Sequence, residues 1–161
     1  MQGRLIENLK VVPAFVPIDT NGAGADGDWV NLRYFRRILT VIQQGAWAGG
    51  TPAVTFEQAT SAAGAGAKAL GYSERWDGTA LTDDILAKTA VTSDTSNLAN
   101  AANGTMQVEH SAKDLDIANG FTHMRVRVAT PGANADLIAA FYVLGDPAWA
   151  ARPDTLPSAI A

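Results

Sequence analysis

Hydrophobic and polar residues alternate along several short segments of this chain, and that two-residue period is typical of half-buried β-strands. In the segment 53–60 (AVTFEQAT), valine and phenylalanine alternate with threonine and glutamate. The segment 121–130 (FTHMRVRVAT) places methionine and two valines on one predicted face, and His123, Arg125 and Arg127 on the other. Both segments are therefore predicted to be strands that turn one face toward a core.

Further strand-like patterns bounded by turn residues are found at 10–18, 29–32, 34–44, 68–76, 85–92, 105–112 and 135–144. The segment 34–44 (YFRRILTVIQQ) is the most apolar, which predicts a central strand. Pro13 and Pro17 place the segment 10–18 at a sheet edge, because proline cannot donate a ladder hydrogen bond. The segment 135–144 is apolar on both faces, and its Tyr-Val pair and the following Gly-Asp-Pro favour a strand over a helix.

The loops predicted between these strands span 19–28, 61–67 and 92–104. One helical turn is predicted at 112–120, ending at Gly120. About eight or nine short strands with a loop roughly every 8–12 residues indicate an all-β sandwich or barrel, and no strand–helix–strand rhythm suggests a parallel sheet. The prediction is an antiparallel β-sandwich or jelly-roll-like domain over residues 1–145, with extended N- and C-terminal arms.

The segment 146–161 (DPAWAARPDTLPSAIA) differs from the rest of the chain, because it contains three prolines and few charges. This composition predicts an extended arm rather than a helix or a central strand. Trp149, Leu156 and Ile160 would need an apolar surface to lie on. The arm either packs across its own domain or reaches a neighbour, and the sequence leaves both possibilities open.

Composition narrows the classes of partner. Charged residues make up 17% of the chain, below the average of about 25% for soluble domains, which suggests either a covered surface or a genome that favours alanine and glycine. The net charge is −4, and no run of lysine and arginine offers an electrostatic footprint for nucleic acid. There is no cysteine, no signal-peptide pattern and no apolar stretch of about 20 residues for a membrane helix. We expect neither nucleic acid nor membrane as a direct partner.

Candidate chemistry is sparse. His110 and His123 are both interpreted as lying on the polar faces of predicted strands, and no G-x-S-x-G nucleophile motif is present. Acidic groups in two predicted turns could offer oxygen ligands to calcium, but their spacing does not match a calcium loop, and solvated turns are the favoured interpretation. The turn residues with carboxylate or amide oxygens are Asp19, Asn21, Asp26, Asp28, Asp114, Asp116 and Asn119. We therefore expect a protein that is not an enzyme and has no metal or cofactor.

The arginines on predicted strands are a more specific feature than the histidines or the acidic turns. Arg125 and Arg127 share one face of the segment 121–130, where they could either serve an interface or form cross-strand ion pairs. The segment from Leu9 to Pro17 could add at a sheet edge. The interface candidates are Arg125, Arg127, Trp149, Leu156, Ile160, Pro13 and Phe15.

Three segments carry a resemblance to a known family: TFEQAT…GAGAKAL, KDLDIANGF and YVLGDPAWAARPDTLPSAI. The chain resembles small structural proteins encoded among the head genes of tailed bacteriophages. The resemblance implies a virion protein on the capsid surface, assembled in the host cytoplasm, either a decoration (cement) protein or a minor capsid protein. It also implies a β-sandwich or jelly roll that binds the major capsid protein, commonly as a homotrimer.

One alternative belongs to a different class, a carbohydrate-binding β-sandwich module on the virion surface. Exposed tryptophans could stack on sugar rings, and the four candidates are Trp29, Trp47, Trp76 and Trp149. Trp47 is the best of them, because it is predicted to lie in the glycine-rich loop GAWAGG. The competing interpretation is that the tryptophans are core or interface anchors. Another minor head or tail structural protein also remains an open alternative.

Overall fold

A computed structural model describes residues 4–80, 82, 84–98 and 101–148. Within them the chain forms a helical turn, α1 (Leu5–Asn8), two 3₁₀ turns (Ala112–Asp114 and Ile117–Asn119) and twelve strands. The strands are β1 (Leu9–Asp19), β2 (Ala25–Asp26), β3 (Val30–Asn31), β4 (Phe35–Trp47), β5 (Ala53–Ala59), β6 (Lys68–Leu70), β7 (Glu74–Gly78), β8 (Ala87–Ala90), β9 (Thr95–Asn97), β10 (Thr105–Ser111), β11 (His123–Val128) and β12 (Asp136–Pro147).

The strands form two antiparallel sheets, which confirms the predicted all-β sandwich class. Sheet A has the order β1-β12-β4-β10-β7-β8, and sheet B has the order β2-β11-β5-β6, with β3 on β11 and β9 on β5. More strands form than the eight or nine predicted. The predicted loops 19–28 and 92–104 contribute β2 and β9, and the predicted single strand 68–76 divides into β6 in sheet B and β7 in sheet A.

Strand β4 lies at the centre of sheet A, between β12 and β10, as its apolar sequence predicted. Its side chains Phe35, Ile38 and Ile42 are all buried. Strand β1 lies at the edge of sheet A and, among the described residues, pairs only with β12, which confirms the edge position predicted from its prolines. The β1–β12 register shifts between Pro13 and Phe15 and again before Ile18, where the proline-containing strand cannot keep a regular ladder.

The two sheets enclose one apolar core, and Tyr142 of β12 links them by hydrogen bonds. Its hydroxyl accepts from the backbone N–H of Val126 at 3.0 Å and donates to the carbonyl of Asp28 at 3.1 Å. Glycine is required at position 27, because a Cβ there would lie 2.7 Å from the Tyr142 hydroxyl oxygen. Sheet A is therefore tied to sheet B through a side chain that is itself fully buried.

The predicted helical turn at 112–120 is present as the two 3₁₀ turns, and Gly120 ends the second with a left-handed backbone (φ +83°). Strand β12 continues to Pro147, so residues 146 and 147 of the predicted arm extend this strand. The arm candidates Trp149, Leu156 and Ile160 lie outside the described residues. In the part of the chain that the model describes, no helix has the length and apolarity to cross a membrane.

Candidate functional site

The predicted arginine face is a network of four charges on the outer side of sheet B. Strand pairing brings Arg125 opposite Glu57 and Arg127 opposite Asp26. The Arg125 Nε donates to Glu57 Oε2 at 2.8 Å, and the Arg127 Nε donates to Asp26 Oδ1 at 2.8 Å. A further Arg127 bond to Glu57 Oε1 at 3.1 Å crosses between the two pairs. The two positive and two negative charges neutralise each other, so these arginines form the cross-strand ion pairs that were one of the two predicted alternatives. An interface role for them stays a prediction.

Burial differs between the two arginines. The Arg125 guanidinium lies 4.7 Å from the ring centre of Trp29, and the side chains of Arg125 and Glu57 are each only 21% exposed. The Arg127 and Asp26 side chains are 44% and 48% exposed. The hydrogen bonds that Arg127 donates, first to Asp26 and then to Glu57, raise the pKa of its guanidinium. Water screens the outer pair more strongly, so the inner pair should contribute more to stability.

A double-mutant cycle should separate the two pairs. We expect a coupling energy of about 1 kcal/mol between Arg125→Ala and Glu57→Ala, because this pair is mostly shielded from solvent. The matched cycle with Arg127→Ala and Asp26→Ala should give less than about 0.5 kcal/mol. Urea unfolding measures both energies. Equal coupling energies in the two cycles would contradict a burial-dependent network.

The edge of sheet A carries a strip of exposed apolar side chains, which we call the β1 strip. Val11, Val16 and Ile18 of β1 are 57%, 69% and 40% exposed. The strip also includes Leu5 and Ile6 of α1, and Leu137, which pairs with Asp19 at the end of β1. Of the candidates predicted from sequence, Pro13 is exposed in this strip and Phe15 is half-buried against the core.

The β1 strip lies on a strand whose outer edge pairs with no other strand among the described residues. Unpaired backbone N–H and C=O groups make such an edge a template for pairing with another chain. Folded proteins commonly limit pairing at exposed edges with charges, prolines and β-bulges, and this strand has Lys10, Asp19, two prolines and two register shifts. Its remaining residues are all apolar, so side-chain contacts rather than a regular hydrogen-bond ladder are what this edge offers. The sequence signal that located this surface was the pair of prolines, which fixed the strand at the edge.

A second apolar surface is a groove of about 560 Å³ at one end of the sandwich. Leu32 and Phe35 form one side, and Leu115 and Phe121 contribute from the segment that contains the 3₁₀ turns. Ala148, the last described residue of the predicted arm, also lines this groove, and its N–H donates to the carbonyl of Tyr34 at 2.9 Å. The arm thus begins at an apolar groove, a proximity that sequence reasoning did not predict.

The strand face predicted from sequence is wrong for His110 and correct for His123, but both rings are buried. His110 is 2% exposed and His123 is 7% exposed, so neither lies on a solvated face. His110 shares its face of β10 with Met106 and Val108, because side chains two residues apart point to the same side. His123 does lie on the outer face of β11, but neighbouring groups cover it, and its Nδ1 is 2.9 Å from the Thr122 hydroxyl. Burial lowers the pKa of both rings, to about 4 for His110.

The described tryptophans among the predicted sugar-stacking candidates contact other parts of the protein. Trp47 ends strand β4 rather than lying in a loop, and its indole N–H donates to the Gly50 carbonyl at 3.3 Å. Trp29 is 8% exposed beneath Arg125, and Trp76 is half-buried. Trp149 lies outside the described residues. These positions favour the anchor interpretation over open stacking platforms.

The acidic turns also bond to the protein itself. Asp19 Oδ1 accepts from the backbone N–H groups of Asn21 and Asp136. Asp116 binds the Lys68 ammonium and the Asn119 amide, and the Lys68 bond is the main cause of its lowered pKa. Within the described ranges, no three histidine, aspartate or glutamate side chains come together as a metal site.

Comparison with known proteins does not identify a family or a function for this chain. No family model and no curated protein matches the chain. Among solved structures, the SPBc2 prophage-derived protein YomS is similar over 86% of this chain and 94% of its own, with 11% sequence identity and a TM-score of 0.49. The function is therefore inferred from this chain's own residues.

Proposed function

We propose that this protein is a structural component of a tailed-bacteriophage head: a decoration protein that binds the outside of the major capsid protein shell and is not an enzyme. The observation that carries the proposal is the β1 strip, an exposed apolar surface on an unpaired sheet edge. Three segments of the chain resemble phage head proteins, and this resemblance is the reason for placing the protein in a phage head. A homotrimer on the virion surface is the assembly we propose.

The β1 strip suits a protein that works by contact. Contiguous exposed apolar surface in a soluble protein commonly marks an interaction site, and an open edge adds backbone hydrogen bonds to the same contact. The apolar groove lined in part by Ala148 offers a second contact surface at one end of the sandwich. Two separate surfaces allow one subunit to bind both its own copies and the shell.

Many copies would make such contacts effective. When subunits are linked in an oligomer, each further contact becomes intramolecular, so the assembly binds far more tightly than one subunit does. Contacts that span boundaries between shell subunits resist the outward pressure of packaged DNA. A protein with a modest interface per subunit therefore stabilises a head through its number.

Particle composition tests the proposal directly. Mass spectrometry of purified virions should find this chain in on the order of hundreds of copies, because a shell of repeated subunits offers many equivalent binding sites. Purified protein should also bind expanded capsids that lack it, and the binding should raise the temperature at which the capsids rupture. Absence from virions, or failure to bind such capsids, would refute the proposal.

Charge placed on the β1 strip should disrupt self-association. We expect Val11→Lys with Val16→Lys to weaken it by about 10- to 100-fold, because two desolvated apolar contacts are lost and two charges oppose pairing. Sedimentation velocity at micromolar concentration measures the change. Ala90→Lys, on the exposed edge strand β8 at the other side of sheet A, is the matched control. A wild-type protein that stays monomeric, or equal effects of both variants, would contradict a homo-oligomer built on this edge.

A further inference from the structure

The apolar groove at one end of the sandwich is lined by both buried and exposed hydrophobic side chains. Leu32, Phe35, Leu115 and Phe121 are each at most 9% exposed, whereas Ile117 is 57% exposed. The groove volume of about 560 Å³ lies within the range of sites that enclose several apolar groups of a ligand. Exposed apolar surface of this kind commonly marks a contact site, so the groove suits an apolar occupant.

The charged side chains that line the groove are basic. Arg33 and Arg36 lie there, and no aspartate or glutamate lines the groove among the residues that the model describes. Arg33 is exposed and forms no ion pair within the described ranges. Arg36 has only a long contact with Asp146, 3.7 Å between Nη1 and Oδ1, and a 3.4 Å bond to the Ala148 carbonyl. A free guanidinium beside apolar surface favours an apolar segment that carries a carboxylate.

Residues 149–161 of the arm, which lie outside the described residues, have such a sequence. They include Leu156 and Ile160, and their one carboxylate side chain, Asp154, stands two residues before Leu156. Their other charged side chain is Arg152. The two apolar residues need a surface to cover them, and the groove needs apolar groups to cover it.

The position of Ala148 decides which groove these residues can reach. Ala148 lines the groove of its own subunit, where its N–H is bonded to the Tyr34 carbonyl. Leu156 follows eight residues later, a distance of about 25 Å in an extended chain. Pro153 and Pro157 favour an extended chain, because proline fixes its own φ and disfavours a helical conformation in the residue before it. We therefore expect Leu156 to reach past the groove where the arm begins, to the equivalent groove of a neighbouring copy.

We propose that the groove binds residues 149–161 of a second copy of this chain, with Leu156 and Ile160 on its apolar lining and Asp154 beside Arg33. Each subunit contributes one arm and one groove, so every groove is filled when the copies form a closed ring. Three copies would close this head-to-tail contact as the proposed homotrimer. The inference rests on that homotrimer and not on the contact with the shell, and its surface is separate from the β1 strip.

Engineered disulfides in the full-length protein test the exchange, because the chain contains no cysteine of its own. Ile117→Cys places a thiol at the groove, and Ser158→Cys places one between the two apolar anchors and leaves both anchors intact. The two single variants are mixed, left to exchange subunits and oxidised. We expect a disulfide between position 117 of one chain and position 158 of another, identified by mass spectrometry of the linked peptides. Ile85→Cys, 87% exposed elsewhere, is the matched control and should link to Ser158→Cys about tenfold less, because only a bound arm raises the effective concentration.

The variant that carries both Ile117→Cys and Ser158→Cys separates exchange from packing within one subunit. Exchange joins different chains, so non-reducing gels should show linked dimers and larger species. An arm in its own groove would instead give a monomer with an internal disulfide, and that result would overturn the proposal. Equal cross-linking of the Ile85→Cys control would overturn it as well.

Replacing the two anchors should weaken the oligomer itself. We expect Leu156→Ser with Ile160→Ser to weaken association by about tenfold or more, because two buried apolar contacts are lost, whereas Ser158→Ala should leave it unchanged. Sedimentation velocity measures both variants, and wild-type association of the double variant would overturn the proposal. An oligomer that forms without the link between positions 117 and 158 would overturn the exchange and leave the homotrimer standing, whereas a monomeric wild type would overturn both.

Discussion

Lowering the pH from 7 to 4 is expected to reduce the free energy of unfolding through His110 by about 3 kcal/mol, because the folded-state pKa is depressed to about 4 from an ordinary value of 6.5. Below pH 6.5 His110 becomes protonated in the unfolded chain, whereas in the folded protein its buried ring stays neutral down to about pH 4. The stabilisation is therefore complete above pH 6.5 and is lost as the pH falls toward 4.

Other titrating groups modify this dependence. Burial also lowers the pKa of His123, which acts in the same direction as His110. Burial raises the pKa of Asp136 beside Gln44, which acts in the opposite direction, because the folded state then binds a proton more readily. The His110 contribution must therefore be isolated by a variant rather than read from the total.

Urea unfolding at a series of pH values measures the contribution. His110→Met replaces the ring with an adaptable apolar side chain and should flatten the curve between pH 6.5 and 4, whereas His123→Gln should retain the His110 contribution. NMR titration of the wild-type ring gives the same answer without a variant. A folded-state pKa of His110 near its ordinary 6.5 would contradict the expected loss.

Replacing Tyr142 with phenylalanine is expected to lower the free energy of unfolding by about 1–3 kcal/mol, because a buried N–H loses its acceptor. The Tyr142 hydroxyl extends from β12 and forms hydrogen bonds with two backbone groups, the N–H of Val126 in β11 and the carbonyl of Asp28 in the turn before β3. Phenylalanine keeps the ring and the packing, so the change isolates the hydroxyl. The melting temperature should fall by about 2–4 °C for each kcal/mol lost in a domain of this size.

Tyr72→Phe is the matched control, because its hydroxyl is also bonded but lies in a partly buried position. It bonds to the Val54 carbonyl at 3.1 Å and to the Ser96 hydroxyl at 2.6 Å. We expect a loss of about 1 kcal/mol or less there, since water can replace part of the bonding. A loss at Tyr142 no larger than at Tyr72 would show that the hydroxyl does not link the sheets as inferred.

Several errors of sequence reasoning share one cause. The segment 68–76 has a continuous strand-like pattern, yet its two halves belong to different sheets. The loops 19–28 and 92–104 are poor in bulky residues, yet β2 and β9 form there because neighbouring strands supply hydrogen-bonding partners. Strand pairing depends on residues distant in sequence, which a local pattern does not contain.

The sequence by itself determined the all-β class, the central position of β4 and the edge position of β1. Alternation and proline are local properties that act through each residue's own geometry. Only the tertiary structure decided which charges meet: Arg127 and Asp26 are 101 residues apart and bond at 2.8 Å. It also decided that His110 is buried with its ring centre 4.6 Å from that of Phe56, because these two residues lie on strands of different sheets that pack face to face.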